Sequence, residues 1–182
     1  VSVDGGTIKL DGNYPVGTNN VALGNAAGDA MASGGNNVSV GSSALTTNTS
    51  GGDNVAVGSA SMANNQSGSY NTSLGRQALA ANTTASNNTA VGYQSGYSNT
   101  TGTITAFGTS AGYSATTATN NSIFGVEANY YTTTGSENAS FGYNAGAFTT
   151  TGSNNTALGS KALRSNTTGN YNLASGYASL RL

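Results

Sequence analysis

Side chains that could do chemistry are few in this chain. It has 182 residues, of which six are acidic and five are basic, and it contains neither His nor Cys. The missing types exclude thiol nucleophiles, disulfides, the usual zinc ligands and the commonest general base. Paired carboxylates could still cleave glycosides, although such a pair would have to form between subunits. The acids are spread along the chain without a recurring pair: Asp4, Asp11, Asp29, Asp53, Glu127 and Glu137. We predict no enzyme, no cofactor and no metal site.

Tyrosine is the residue type best suited to contact a ligand. Six of the ten tyrosines fall between positions 93 and 143, and aromatic rings offer amphipathic platforms for sugars or protein partners. We predict surface contacts at four of the tyrosines: Tyr93, Tyr131, Tyr143 and Tyr177. For three others we favour a different role, in which they fill space left by small neighbours (Gly96, Gly112 and Asn129): Tyr97, Tyr113 and Tyr130.

The composition excludes two classes of partner. Charged residues make up 6% of the chain and the formal net charge is −1, so the basic surface that nucleic acid requires is missing. There is also no run of about 18 apolar residues that could insert into a membrane. We predict neither nucleic-acid binding nor membrane insertion.

Ten regularly spaced glycines indicate the elements that position these side chains. They lie 17 residues apart, except for one interval of 16 between Gly92 and Gly108. The series is Gly24, Gly41, Gly58, Gly75, Gly92, Gly108, Gly125, Gly142, Gly159 and Gly176. Helical-hairpin repeats need about 33 residues, so the period predicts an all-β fold: a parallel β-roll or β-solenoid of about ten coils.

The residues before each glycine alternate like a short strand. The residue next to the glycine is apolar in nine of ten copies, as in NNVALG at 19–24 and NNTAVG at 87–92. We predict that this apolar row faces the core. The opposite row is small, as at Ala22, Ser39 and Ala56. We favour close approach of a neighbouring subunit as its cause, with a tight bend within one chain as the alternative.

The rest of each repeat predicts a second short strand and two turns. Segments such as GSSAL at 41–45 follow the glycine, and Gly- and Asn-rich residues suit turns. Stacked coils would align a file of asparagines and one of Phe107, Phe124 and Phe141. The asparagines are Asn20, Asn37, Asn54, Asn71 and Asn88. In the 16-residue repeat, where Ile104 replaces the usual Asn, we expect a tightened corner without loss of stacking.

Residues 1–18 form a predicted lead-in or cap, and residues 19–182 form the repeat domain, which we expect to continue beyond Leu182. The segments NNVALG, NNTAVG and NNTALG, with the GxxAL that follows, resemble the NTAVGxxAL repeats of bacteriophage tail fibres. They are also similar to the NSVAIG-type head repeats of trimeric autotransporter adhesins. The resemblance covers 19–182 and implies a left-handed parallel β-roll, with three chains around one axis. The coils are longer than those of adhesin heads, which favours the fibre.

The function implied is a structural and adhesive shaft of a phage tail fibre that takes part in host attachment. The alternatives are the head of a bacterial trimeric adhesin and an ice-binding solenoid. Threonine pairs such as Thr100–Thr101 suggest the last, but neighbouring strand residues face opposite ways, so each pair offers one outward Thr. The expected partners are two further copies of the chain, neighbouring fibre or virion proteins, and a host-surface glycan or protein. The expected location is the virion or a cell surface.

Overall fold

The computed structural model describes residue 17 and residues 19–180, so the predicted lead-in lies almost wholly outside the described residues. The described part contains ten strands of three or four residues and no helix. The strands are β1 (Val21–Leu23), β2 (Val38–Val40), β3 (Val55–Val57), β4 (Thr72–Leu74), β5 (Thr89–Val91), β6 (Ile104–Phe107), β7 (Asn121–Phe124), β8 (Ala139–Phe141), β9 (Thr156–Leu158) and β10 (Leu173–Ser175).

The ten strands form one parallel sheet in chain order, so each turn of the chain adds one strand. Val38 pairs with Val55, and the same offset of one repeat recurs along most of the sheet. The chain is therefore a β-solenoid of about nine turns, which confirms the predicted all-β parallel architecture.

The two faces of the strands are the reverse of the prediction. The small row is buried, with Ala56, Ala90 and Ala106 fully enclosed, whereas the apolar row at Leu74 and Phe141 faces outward. The interior of so short a coil is narrow, and it is already filled from the opposite side by large side chains: Leu45, Met62 and Leu79. Only small residues fit across from them. A second subunit is therefore not what the small row meets.

The predicted second strand after the glycine is also wrong. In the segment at 41–45, Ser43 and Leu45 have φ of 57° and 50°, and the same left-handed positions recur in the other coils. Extended backbone cannot pass through such residues, so the segment is a series of turns. It still bonds from coil to coil, since the N–H of Leu45 donates to the Ser61 carbonyl at 3.1 Å.

The glycine series follows from close contact between coils. At Gly92 the φ of 130° suits only glycine, and an added Cβ would lie 2.6 Å from the Gly108 carbonyl oxygen. The glycines from Gly24 to Gly159 therefore each rest directly on the backbone of the next coil, and Gly176 has no atom within 4 Å at this place.

An internal ladder of asparagines ties the coils together. The side-chain N–H groups of Asn54, Asn71 and Asn88 each donate to the Oδ1 of the asparagine one coil earlier, at 3.1, 3.1 and 3.0 Å. The backbone N–H of Asn37 donates to Asn20 Oδ1 at 2.8 Å. The predicted file is present as a chain of buried amides, each of which satisfies the next.

The 16-residue repeat keeps its place in the stack, as predicted. Strand β5 still pairs with β6, with Val91 opposite Phe107. The deleted residue is the one that is left-handed in other coils, as at Asn87 and Asn120. The backbone N–H of Ile104 donates to Asn88 Oδ1 at 2.7 Å, so this run of the ladder ends without an unpaired amide oxygen, and the ladder resumes from Asn121 to Asn138.

The space beside small turn residues is filled by aliphatic side chains, which overturns the interpretation of Tyr97, Tyr113 and Tyr130 as fillers. Ile104 Cδ1 occupies the place of a side chain at Gly96, and Ile123 Cδ1 lies 2.9 Å from where a Cβ on Gly112 would be. At Gly28 the same place is taken by Met31. The tyrosines are only half-buried.

Candidate binding site

Three of the four predicted contact tyrosines lie on the surface at equivalent positions, one residue after the glycine. Tyr93, Tyr143 and Tyr177 are exposed, but they are separated by coils that have no tyrosine at this position. Two of them have a cation overhead: Arg76 lies 5.8 Å from the centre of the Tyr93 ring, and Lys161 lies 6.0 Å from that of Tyr177. They do not form a continuous aromatic platform.

A different set of rings does form a continuous file. Tyr97, Tyr113 and Tyr130 stack face to face across three successive coils, with ring centres 5.1 and 5.0 Å apart. This spacing is close to that of neighbouring strands. The file ends at Tyr130, because the equivalent residue of the next coil is Ala147.

The fourth predicted tyrosine lies where this file ends. Tyr131 meets Tyr130 edge-on at 4.7 Å and stacks on Phe148 at 4.9 Å. The guanidinium of Arg164 lies over Phe148, 5.0 Å from the centre of its ring. These groups line a groove of about 220 Å³ that is open to solvent, which we name the aromatic slot. Its lining residues are Glu127, Tyr130, Tyr131, Asn144, Ala147, Phe148 and Arg164.

The slot carries polar groups as well as rings. Asn144 Nδ2 donates to Glu127 Oε2 at 3.1 Å. Burial raises the pKa of the Tyr130 phenol, and Tyr113, Tyr131 and Glu127 add to the shift, so this hydroxyl stays protonated at neutral pH. Arg164 Nε is buried, and no acceptor among the described residues lies within hydrogen-bond distance.

Elsewhere, the described residues contain no group of three or more acidic side chains that could hold a metal ion, and Asp4 and Asp11 lie outside them. Within the same part of the chain, no helix could cross a bilayer. Among the threonines, Thr116 Oγ1 donates to the Thr133 carbonyl of the next coil, while the neighbouring Thr117 is exposed. The pairs from Thr83–Thr84 to Thr150–Thr151 each have one exposed threonine, whereas both Thr167 and Thr168 are exposed.

Sequence reasoning found one of the slot's side chains and missed the rest. Tyr131 is in the slot, and Tyr93, Tyr143 and Tyr177 are not among its lining residues. Glu127, Phe148 and Arg164 were missed because each was considered only in its own repeat. The signal lies across repeats: at the position five residues after the glycine, three tyrosines are followed by alanine and then arginine.

The geometry defines the class of fold, a parallel β-solenoid with one strand per coil. Comparisons with protein families, with curated proteins and with solved structures find no match to this chain.

Proposed function

We propose that this chain is a structural shaft segment of an extracellular fibre, a phage tail fibre that takes part in host attachment, and that it works as a homotrimer. One observation carries the proposal: the sheet presents to solvent an unbroken row of apolar side chains before the glycines, from Leu23 to Leu158, beside a second outward row that mixes apolar residues with threonine and serine. We name this face the outer apolar strip and define it by the outward residues of β1–β10, from Val21 and Leu23 to Leu173.

The strip is unusual for the surface of an isolated chain. Leu74, Leu158 and Leu173 are 47%, 51% and 70% exposed, and Phe107, Phe124 and Phe141 stack along its middle at 5.0 Å. Nine strand spacings make it about 43 Å long. Contiguous exposed apolar patches of this kind mark association sites, and a strip that repeats with the coil is matched in length and spacing by other copies of itself.

The number of copies and the setting rest on the resemblance of the repeats to phage tail fibres, in which three left-handed rolls meet about an axis. The physical properties agree with such a role. Coil-to-coil hydrogen bonds through both strands and turns favour a stiff rod. A rod that holds another domain away from a particle needs length and repetition rather than a catalytic group.

Analytical ultracentrifugation tests the assembly. We expect the chain to sediment as a trimer at micromolar concentration, and a stable, well-folded monomer under those conditions would contradict the proposal.

The head of a bacterial trimeric adhesin would use the same strip, so sedimentation does not separate the two roles. The coding sequence beyond Leu182 does. A self-cleaving chaperone domain there supports the fibre, whereas a membrane anchor supports the adhesin.

A further inference from the structure

We infer that the aromatic slot between Tyr130 and Arg164 binds the pyranose ring of a neutral sugar. The inference deepens the proposed function and rests on it for its setting, since it names the ligand class that the side of an attachment fibre would meet. Its physical basis is separate and lies in the contacts of the slot itself.

The slot lies where a regular stack of rings is interrupted. Backbone hydrogen bonds from Ser114 to Tyr130, from Tyr131 to Ala147 and from Phe148 to Arg164, at 3.0, 2.8 and 2.9 Å, place 130, 147 and 164 at equivalent points of successive coils. Rings occupy this point up to Tyr130, and Ala147 then carries none; its methyl group is covered by neighbouring side chains and is 1% exposed. Two coil spacings, about 10 Å, separate Tyr130 from Arg164, and the slot opens to solvent where the stack is interrupted.

The walls of the slot suit a ring with an apolar face and a polar edge. Tyr130, Tyr131 and Phe148 supply aromatic surface, with Tyr131 stacked on Phe148, and the Arg164 guanidinium lies against Phe148. Ala147 lies beneath these side chains and is 1% exposed. Such sites bind by apolar contact and take their orientation from a few polar groups. The C–H face of a pyranose can lie on the rings while its hydroxyls reach the edge.

The polar groups favour a neutral polyol over an ion or a plain aromatic ring. Glu127 repels an anion and Arg164 repels a cation, so a charged ligand would meet one unfavourable partner. Sugar hydroxyls donate to a carboxylate and accept from a guanidinium, which satisfies both. They would also give buried Arg164 Nε the acceptor that no described residue supplies. A phenyl ring would cover both charges without adding a hydrogen bond to either, at a cost in free energy.

Saturation-transfer NMR on the full chain, in its native oligomeric state, tests the inference. The probes are the methyl glycosides of galactose, glucose and mannose, with p-cresol as a plain aromatic probe. We expect transfer to the ring protons of at least one glycoside, and little transfer to p-cresol.

Two variants should remove that signal. Ala147→Tyr places a ring where the file is interrupted, and the side chains that line the slot must move to make room for it. Arg164→Ala should weaken glycoside binding about tenfold without filling the slot, because a charge-assisted hydrogen bond is lost. Arg164→Ala therefore remains informative if Ala147→Tyr does not fold.

The matched controls are two groups of the same type outside the slot. Arg76→Ala removes an arginine that covers Tyr93 at 5.8 Å, and Tyr171→Ala removes an exposed tyrosine. Both should bind the glycosides as the parent does.

Three outcomes would overturn the sugar site: no transfer to any glycoside, transfer that survives both Ala147→Tyr and Arg164→Ala, or p-cresol bound in place of the glycosides. None of these depends on the oligomeric state. A trimer that binds no glycoside would support the proposed shaft and exclude the slot as a sugar site. A monomer that binds a glycoside would support the sugar site and contradict the proposed trimer.

Discussion

The two faces of the sheet differ in what they hold together. On strand β5, Ala90 points into the coil and is fully buried, whereas its neighbour Val91 points outward and is half-buried. The inner row is small because the opposite turns fill the interior, and the outer row is large although nothing in the single chain covers it. One strand therefore divides two tasks between adjacent residues. The inward residue maintains the coil, and we propose that the outward residue joins one coil stack to another.

The largest effect is expected on the inner face. Ala90→Asp places a charge in an enclosed apolar site without a partner. We expect a loss of about 4 kcal/mol or more in the free energy of unfolding. Chemical denaturation followed by circular dichroism measures it. If the variant unfolded like the parent, the assignment of this face to the core would be wrong.

The next largest effect is expected on the outer face, in association. Leu74 and Val91 are register partners in adjacent strands, so the double variant Leu74→Asp with Val91→Asp puts two like charges side by side on the outer apolar strip. We expect self-association to weaken at least about a hundredfold, with the β-sheet dichroism unchanged. Sedimentation equilibrium measures the change.

The matched control for the strip is Thr84→Asp with Thr101→Asp, which places the same two charges at exposed turn positions of adjacent coils. This variant should associate like the parent. Equal weakening by both pairs would point to net charge, not to the strip, as the cause.

A smaller effect is expected where the inner ladder is interrupted. Asn71→Ala removes an amide that donates to Asn54 Oδ1 at 3.1 Å and accepts from Asn88 at 2.9 Å. We expect the free energy of unfolding to fall by about 2 kcal/mol, because buried partners are left unsatisfied. Asn64→Ala, at an exposed turn position, should change it by less than about 0.5 kcal/mol. If Asn71→Ala and Asn64→Ala lowered the stability equally in thermal denaturation, the ladder would contribute nothing to it.

The smallest effect is expected from Val55→Thr on the outer face. Threonine already stands at the same position in the next two coils, at Thr72 and Thr89. In the single chain we expect a change of less than about 0.5 kcal/mol in the free energy of unfolding. The effect of Val55→Thr on the free energy of unfolding is measured twice, in the parent and in the Leu74→Asp, Val91→Asp variant. The difference between the two effects reports how much association depends on this one position. A large loss in the dissociated background would show that Val55 belongs to the core after all.

The repeat spacing predicted the coil, its parallel pairing and the file of asparagines, because a fixed period aligns like residues whatever their side chains do. It could not predict which face of a strand points inward. A pattern that alternates along a strand is the same whichever face points inward. The usual assumption that large apolar residues are buried fails when the coil interior is already full. The decisive clue was Ile123, the single large residue in the inner row, which lies where Gly112 leaves space.

The slot was only partly predictable, for a related reason. Tyr131 was identified as a contact residue, but the groove beside it exists because Ala147 interrupts a file of rings and Arg164 lies one coil further on. Neither residue stands out in its own repeat. Aligning the repeats by their glycines brings out the interruption, whereas the inclination of the Tyr131 and Phe148 rings depends on packing that spacing alone does not determine.

The constant register between coils has a consequence for how such a gene can change. Removal of residues 58–74 would join Val57 to Gly75, which stands at the same point of the repeat as Gly58. The glycine contact, the amide ladder and the outer apolar strip would all be restored across the deletion. Recombination between repeats can thus shorten or lengthen the molecule one coil at a time, in units of 17 codons. The length of the solenoid can therefore change by inheritance while the fold stays the same.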